Sequence, residues 1–125
     1  PSLTVLDNVL VPGLLARRKG LEPRAKELLC QMGMENRLDF YPYQLSIGQR
    51  RRVSIARALL LQPKIVFADE PTNDLDPLRA NWVSDFLLRL PEQGTAVVLV
   101  SHDPAVVQKV GKRYEIKDGS LQPYK

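Results

Sequence analysis

Between residues 65 and 103 the chain switches character twice in a way that few folds accommodate. A short apolar run, Ile65-Val66-Phe67-Ala68, closes on Asp69-Glu70-Pro71; an amphipathic stretch with Trp82, Val83, Phe86, Leu87 and Leu90 follows Pro77; a second apolar run, Ala96 to Val100, ends at Ser101-His102-Asp103. Short continuous apolar runs read as strands buried on both faces of a parallel sheet, and the order strand, helix, strand implies a right-handed parallel crossover. Each strand then delivers polar residues at the carboxyl edge of the sheet.

The residues before this unit have helical periodicity. Leu3, Leu6, Val9 and Leu10 share one face after Ser2 or Thr4 as N-cap, which predicts a first helix that ends or breaks near Pro12-Gly13 and resumes through Leu14 to Arg18, with cations at its far end as the helix dipole favours. A second helix is predicted from Pro23 at N1 through Ala25, Leu28, Leu29 and Met32 to a stop at Gly33, followed by a loop over Arg37 to Gln44. Ser46 with Gln49 three residues on forms a capping box ahead of Val53, Ile55, Ala56, Leu59 and Leu60, which bury one helix face before Pro63 ends it. Asp118-Gly119 marks a closing hairpin between Arg113–Ile116 and Ser120-Leu121.

At 125 residues, 44% apolar and 26% charged, the chain has the size and balance of one small globular domain. Its net charge of +4 comes partly from Arg17-Arg18-Lys19 and Arg50-Arg51-Arg52, neither interleaved with aromatics, so both read as solvated helix faces and no nucleic-acid partner is expected. The single cysteine, Cys30, excludes an internal disulfide and fits a reducing compartment; beside Leu28-Leu29 it reads as a buried structural thiol. No apolar run approaches the roughly 18 to 20 residues that span a bilayer, so a cytoplasmic protein is expected. The chain opens on Pro1 and runs straight into an apolar pattern, which reads as a cut through a longer protein.

Asp69 and Glu70 carry the first chemical signal, because paired carboxylates at the end of a buried strand are costly unless they meet a cation or move a proton. A nucleotide hydrolase uses both: one acid holds Mg²⁺, directly or through water, and the other orients and deprotonates the attacking water. By itself Asp-Glu-Pro is also an ordinary solvated turn. The second signal is Leu45-Ser46-Ile47-Gly48-Gln49, where a serine and free backbone N–H groups at a helix start favour a phosphate, although S-x-x-Q alone is only a cap.

Together the stretch from Leu45 to Asp76, LSIGQRRRVSIARALLLQPKIVFADEPTNDLD, resembles the signature motif, Walker B motif and D-loop of the ATP-binding cassette (ABC) ATPases. Leu3 to Val9 resembles the segment after that family's Q-loop, so the likeness covers essentially the whole chain and is greatest to ATPases of exporters and lipoprotein-release systems. The resemblance implies that Asp69 is the Walker B carboxylate, Glu70 the catalytic base and His102 the switch histidine that contacts the γ-phosphate and orients the water. It further implies that Ser46, Ile47, Gly48 and Gln49 grip the γ-phosphate bound by the opposite subunit, and that Asp76 touches that subunit near its Walker A loop; Asp76 before Pro77 is also a good helix N-cap. Ile47 departs from the usual LSGGQ: either its backbone angles are ordinary, the reading we favour, or the signature is weakened.

The fold implied is α/β: a partial P-loop NTPase core with parallel strands, plus part of the ABC helical subdomain, with residues 1–45 in the helical part and 46–125 carrying the signature helix and Walker B half. None of the seven glycines begins a phosphate-cradling G-x-x-x-x-G-K-[ST] loop, so the chain holds half of an ATPase site and is not expected to turn over ATP alone. The resemblance implies ATP and Mg²⁺ as cofactors, a second ATPase subunit and membrane permease subunits as partners, and a place on the cytoplasmic face of a membrane; strands lacking neighbours also predict self-association. Two rivals are a soluble ABC-type ATPase acting on ribosomes or DNA, and a non-catalytic module that lends only its signature surface.

Overall fold

The structure, a computed structural model, describes residues 2–124; Pro1 lies outside the described residues. Thr4 starts α1 (Val5–Leu15) with a reciprocal box, its hydroxyl accepting from the Asp7 N–H at 3.1 Å while the Asp7 carboxylate accepts from the Thr4 N–H at 3.0 Å. Two more first-turn donors are satisfied by the following loop: Val5 N–H bonds the Phe40 carbonyl at 2.8 Å and Leu6 N–H that of Leu38 at 3.0 Å. The predicted break at Pro12 does not occur; the helix runs through it to Leu15. Packing overrides local propensity here, for Gly13 is buried where a Cβ would fall 2.6 Å from Leu21 Cδ1, and its carbonyl takes the Arg18 N–H at 2.9 Å. The expected cationic last turn is also absent: Arg17 lies beyond the helix in left-handed conformation, φ 53°, and terminates it.

α2 (Glu22–Gln31) starts with Pro23 in its first turn and ends before Gly33 at φ 66°, as its sequence requires. The loop over Arg37 to Gln44 contains one full 3₁₀ turn, Pro42–Gln44, and takes in the last residue of another, Glu35–Arg37. α3 (Ile47–Leu59) packs Val53, Ala56 and Leu59 against Val5, Val9, Ala25, Leu28, Leu29 and Met32. Each such side chain removed from water contributes about 1.5 to 3 kcal/mol. Arg24, half-buried, closes the far end of α3 by donating to the Leu60 and Leu59 carbonyls at 3.0 and 3.2 Å.

β1 (Ile65–Asp69) pairs in parallel with β2 (Ala96–Val100), joined by α4 (Pro77–Arg89), and Val83 and Leu87 of α4 enter the same core. The parallel pairing is as predicted, but the strands are not buried on both faces. Val66, Ala68, Val97 and Leu99 pack inward, whereas Ile65, Val98, Val100 and above all Phe67, at 74% exposed, face solvent. The two strands have helices over one face only, and among the described residues nothing covers the other. After a single turn of helix, α5 (Pro104–Val107), the predicted hairpin forms from β3 (Tyr114–Lys117) and β4 (Ser120–Pro123) around Asp118 and Gly119, φ 50° and 74°. No helix among the described residues is long and apolar enough to cross a membrane.

Candidate functional site

Chemistry-bearing side chains collect at the carboxyl edge of the parallel pair. In register, Asp69 lies opposite Val100, so β1 and β2 end level and Glu70 and Ser101-His102 leave the sheet at one edge, where the His102 Nδ1 to Glu70 Oε1 distance is 2.7 Å. Glu70 is held by its backbone as well, donating to the Val100 carbonyl at 2.8 Å and accepting from the Asn73 N–H at 3.2 Å. Its φ of 45° lies in the left-handed region that disfavours any residue with a Cβ. The Glu70 side chain is 29% exposed and that of His102 76%. The hydrogen bond to Glu70 and then that carboxylate's charge raise the His102 pKa above the ordinary histidine value, against an opposing desolvation and with a lesser contribution from Asp103. With an imidazolium, Nδ1–H donates to Glu70 and Nε2–H remains available to an anion.

Asp69 sits exposed beside this pair, and among the described residues no side chain donates a hydrogen bond to it. No group of three or more histidine, cysteine or acidic side chains gathers as a metal cage among the described residues. A lone strand-end carboxylate of this kind fits Mg²⁺, which keeps several waters and takes the rest of its shell from phosphate oxygens, and does not fit a cation that needs an all-protein cage.

A second grouping forms where α3 begins. Ser46 Oγ accepts from the Gln49 N–H at 3.2 Å while Gln49 Oε1 accepts from the Ser46 N–H at 2.9 Å, so the capping box predicted from sequence is present. Ile47 is the first helical residue and is not among those with positive φ, so its backbone angles are ordinary. Gly48 is buried, and a Cβ there would meet Leu75 Cδ2 at 3.2 Å and Arg79 Cδ at 3.5 Å. The start of α3 is thus packed against the Asn73–Asp76 loop. Asp76 caps α4, accepting from the Arg79 N–H at 3.0 Å and pairing with its guanidinium at 2.7 Å, and these bonds hold its carboxyl below the usual range.

Of the sequence-predicted residues, Asp69, Glu70 and His102 come together at the sheet edge, while Ser46, Ile47, Gly48, Gln49 and Asp76 come together at the helix starts. Two residues between the groups were not singled out by sequence. Arg51 donates to the Glu70 carbonyl. Arg52 donates to the Met32 carbonyl at 2.9 Å and lies 5.8 Å above the Trp82 ring. The triple-arginine run is therefore not a uniformly solvated face: Arg50 alone of the three is exposed. Cys30 is also corrected, for it is exposed. Ala25, Leu28, Leu29 and Met32 define the inward stripe of α2, and position 30 falls off it.

The parallel pair with helices over one face, its carboxyl edge carrying Asp69 and the Glu70–His102 pair, is an α/β arrangement consistent with part of a P-loop NTPase core. The chain belongs to the ABC transporter family, whose profile matches residues 1–73. It is 43% identical over 124 residues to the lipoprotein-releasing system ATP-binding protein LolD 1 of Rhodopirellula baltica, covering 97% of this chain and 54% of that protein. To the macrolide export ATP-binding/permease protein MacB of Shigella flexneri it is 45% identical over 123 residues, 97% of this chain and 19% of the relative. It superimposes on the ATP-binding cassette MJ0796, solved as a dimer bound to ADP and Pi, with a TM-score of 0.85 and 36% identity over 98% of this chain and 56% of that one. The chain thus spans about half the length of LolD 1 and of the cassette.

Proposed function

We propose that this chain supplies the signature and Walker B half of an ABC ATPase that couples ATP binding and hydrolysis to transport across a membrane, working as one of two ATPase subunits beside permease subunits. The observation that carries the reading is the 2.7 Å Glu70–His102 pair at the carboxyl edge of two parallel strands. The names of the relatives, a lipoprotein-releasing system and a macrolide exporter, support transport over a ribosomal or DNA role. Peripheral placement on the cytoplasmic face follows from the same reading.

In this mechanism Asp69 would hold Mg²⁺ directly or through water. When bound, the ion neutralises charge on the β- and γ-phosphates. Glu70 takes a proton from the attacking water at the carboxylate oxygen not bonded to His102. His102 Nδ1–H fixes the orientation of that carboxylate, and its Nε2–H donates to the γ-phosphate. The α3 start, with Ile47 and Gly48 N–H groups free of the capping bonds, faces the γ-phosphate of the opposite subunit, and Asp76 lies near that subunit's Walker A loop.

The test joins this chain to a Walker A-bearing half. Glu70→Gln should bind ATP and accumulate as a closed dimer without turnover, Asp69→Asn should weaken Mg²⁺-dependent binding, and His102→Ala should bind but hydrolyse roughly 100-fold more slowly. The unjoined chain should show no turnover, and millimolar Mg-ATP should leave its Tm unchanged. Near wild-type turnover by Glu70→Gln overturns the assignment of the base.

A further inference from the structure

Glu70 is the one chemistry-bearing residue whose backbone is in a left-handed conformation, φ 45°, and each of its polar groups has a partner. Its N–H is taken by the Val100 carbonyl, its carboxylate by His102 and its carbonyl by the Asn73 N–H, all within the sheet edge and its own turn. The remaining donor comes from elsewhere: the Arg51 guanidinium, on the helix capped by Ser46, reaches the same carbonyl, and Arg51 also lines a groove of about 440 Å³ together with Ile47, Arg50, Phe67, Asp69 and Pro71. Arg51 is half-buried and enters no ion pair among the described residues, so its charge is directed at that carbonyl.

We infer that Arg51 is a positioning residue: it holds the left-handed turn at Glu70, and so the aim of the Glu70 carboxylate at His102, and it ties that turn to the signature helix. The inference rests on the proposed role of Glu70. A left-handed residue with a Cβ persists only where its surroundings over-determine it. An ionised donor on the Glu70 carbonyl is the strongest kind of neutral-acceptor bond available for that purpose. The bond thereby links the turn at Glu70 to α3, the helix that also carries the signature residues.

The connection is measurable in this chain without nucleotide. In Arg51→Ala the His102 ring ¹⁵N resonances should move toward those of Glu70→Gln, and the Glu70 and Asn73 amides should exchange with solvent roughly 10- to 100-fold faster, the factor for losing a charged donor. Amides in the middle of α3 should keep their protection. Arg51→Lys, which keeps a charge and a donor, should restore part of both signals, and Arg50→Ala, which removes an exposed neighbour, should change neither. The inference fails if Arg51→Ala leaves His102 and both amides as in the parent, or if protection falls equally throughout α3, which marks general destabilisation. Should Arg51→Ala not fold, Arg51→Met, which keeps the stem and removes the charge and donors, decides: spectra identical to the parent at every one of these signals overturn the inference, and a local change at Glu70 and His102 supports it. If these signals stay put while Glu70→Gln still abolishes turnover in the joined polypeptide, the function stands and Arg51 loses its role.

Discussion

In the helical layer Val5, Val9, Ala25, Leu29, Met32 and Ala56 keep no exposed surface, whereas in the parallel pair every second residue of β1 and β2 faces solvent. The helices close a core among themselves; the strands that carry Asp69, Glu70 and His102 contribute one face to it and leave the other bare. Stability and chemistry therefore draw on different parts of the molecule. Where packing does not fix the site, hydrogen bonds do: Glu70 is placed by Val100, Asn73, His102 and Arg51 and not by side-chain burial.

The largest expected effect tests the helical side of this contrast. Leu29→Ala empties a fully buried site and should cost about 2 to 5 kcal/mol, measured as a fall in the urea midpoint. Next is Gly94, which closes the 3₁₀ turn Leu90–Gln93 ahead of β2 at φ 87°. A Cβ there meets nothing within 4 Å, so Gly94→Ala carries only the backbone penalty and should cost about 1 to 2 kcal/mol. Ser46→Ala removes the cap of α3 and should cost about 1 kcal/mol, recovered largely by Ser46→Asn.

On the sheet side the expectation reverses. Phe67→Ser should change stability by less than about 0.5 kcal/mol, because the ring is already in water. What it should change is association: the bare face and open strand edges favour self-assembly, and light scattering at high concentration should show less of it in Phe67→Ser than in the parent. A cost near that of Leu29→Ala would mean that the outer sheet face is covered in solution.

How much of this was legible in the sequence follows the same division. The Ser46–Gln49 box, the Pro23 start and the Asp118-Gly119 turn are local devices, and local devices can be read from a few adjacent residues. That Glu70 and His102, 32 residues apart, serve one site was implied by family resemblance and not by spacing, and their direct hydrogen bond was not anticipated. The bare outer face was not legible, since Ile65-Val66-Phe67-Ala68 has the same composition whether or not something covers it. Arg51 was hidden inside a cationic run, where a guanidinium reaching a carbonyl and one in water look alike. The exposure of Cys30 was legible, because the helical wheel of α2 turns it away from Leu28, Leu29 and Met32.

The smallest effect sharpens the comparison most, because it isolates polar placement at the sheet edge from packing. The Glu70 hydrogen bond and charge raise the His102 pKa in the folded chain, so the proton is held more tightly there than in the unfolded chain. The resulting stabilisation is fully present below the unfolded value, about 6.5, and is lost as pH rises from there through the higher folded value. His102 is the only histidine, so no other side chain with an ordinary pKa titrates in that window. With the ring 76% exposed the effect is small and should shrink further as salt is added. Urea midpoints should therefore fall modestly from about pH 6.5 upward in the parent and fall less in Glu70→Gln, where only the weaker influence of Asp103 on His102 remains. Parallel declines in the two proteins would mean that the pair contributes nothing to folding, and that the sheet edge is held by its backbone bonds alone.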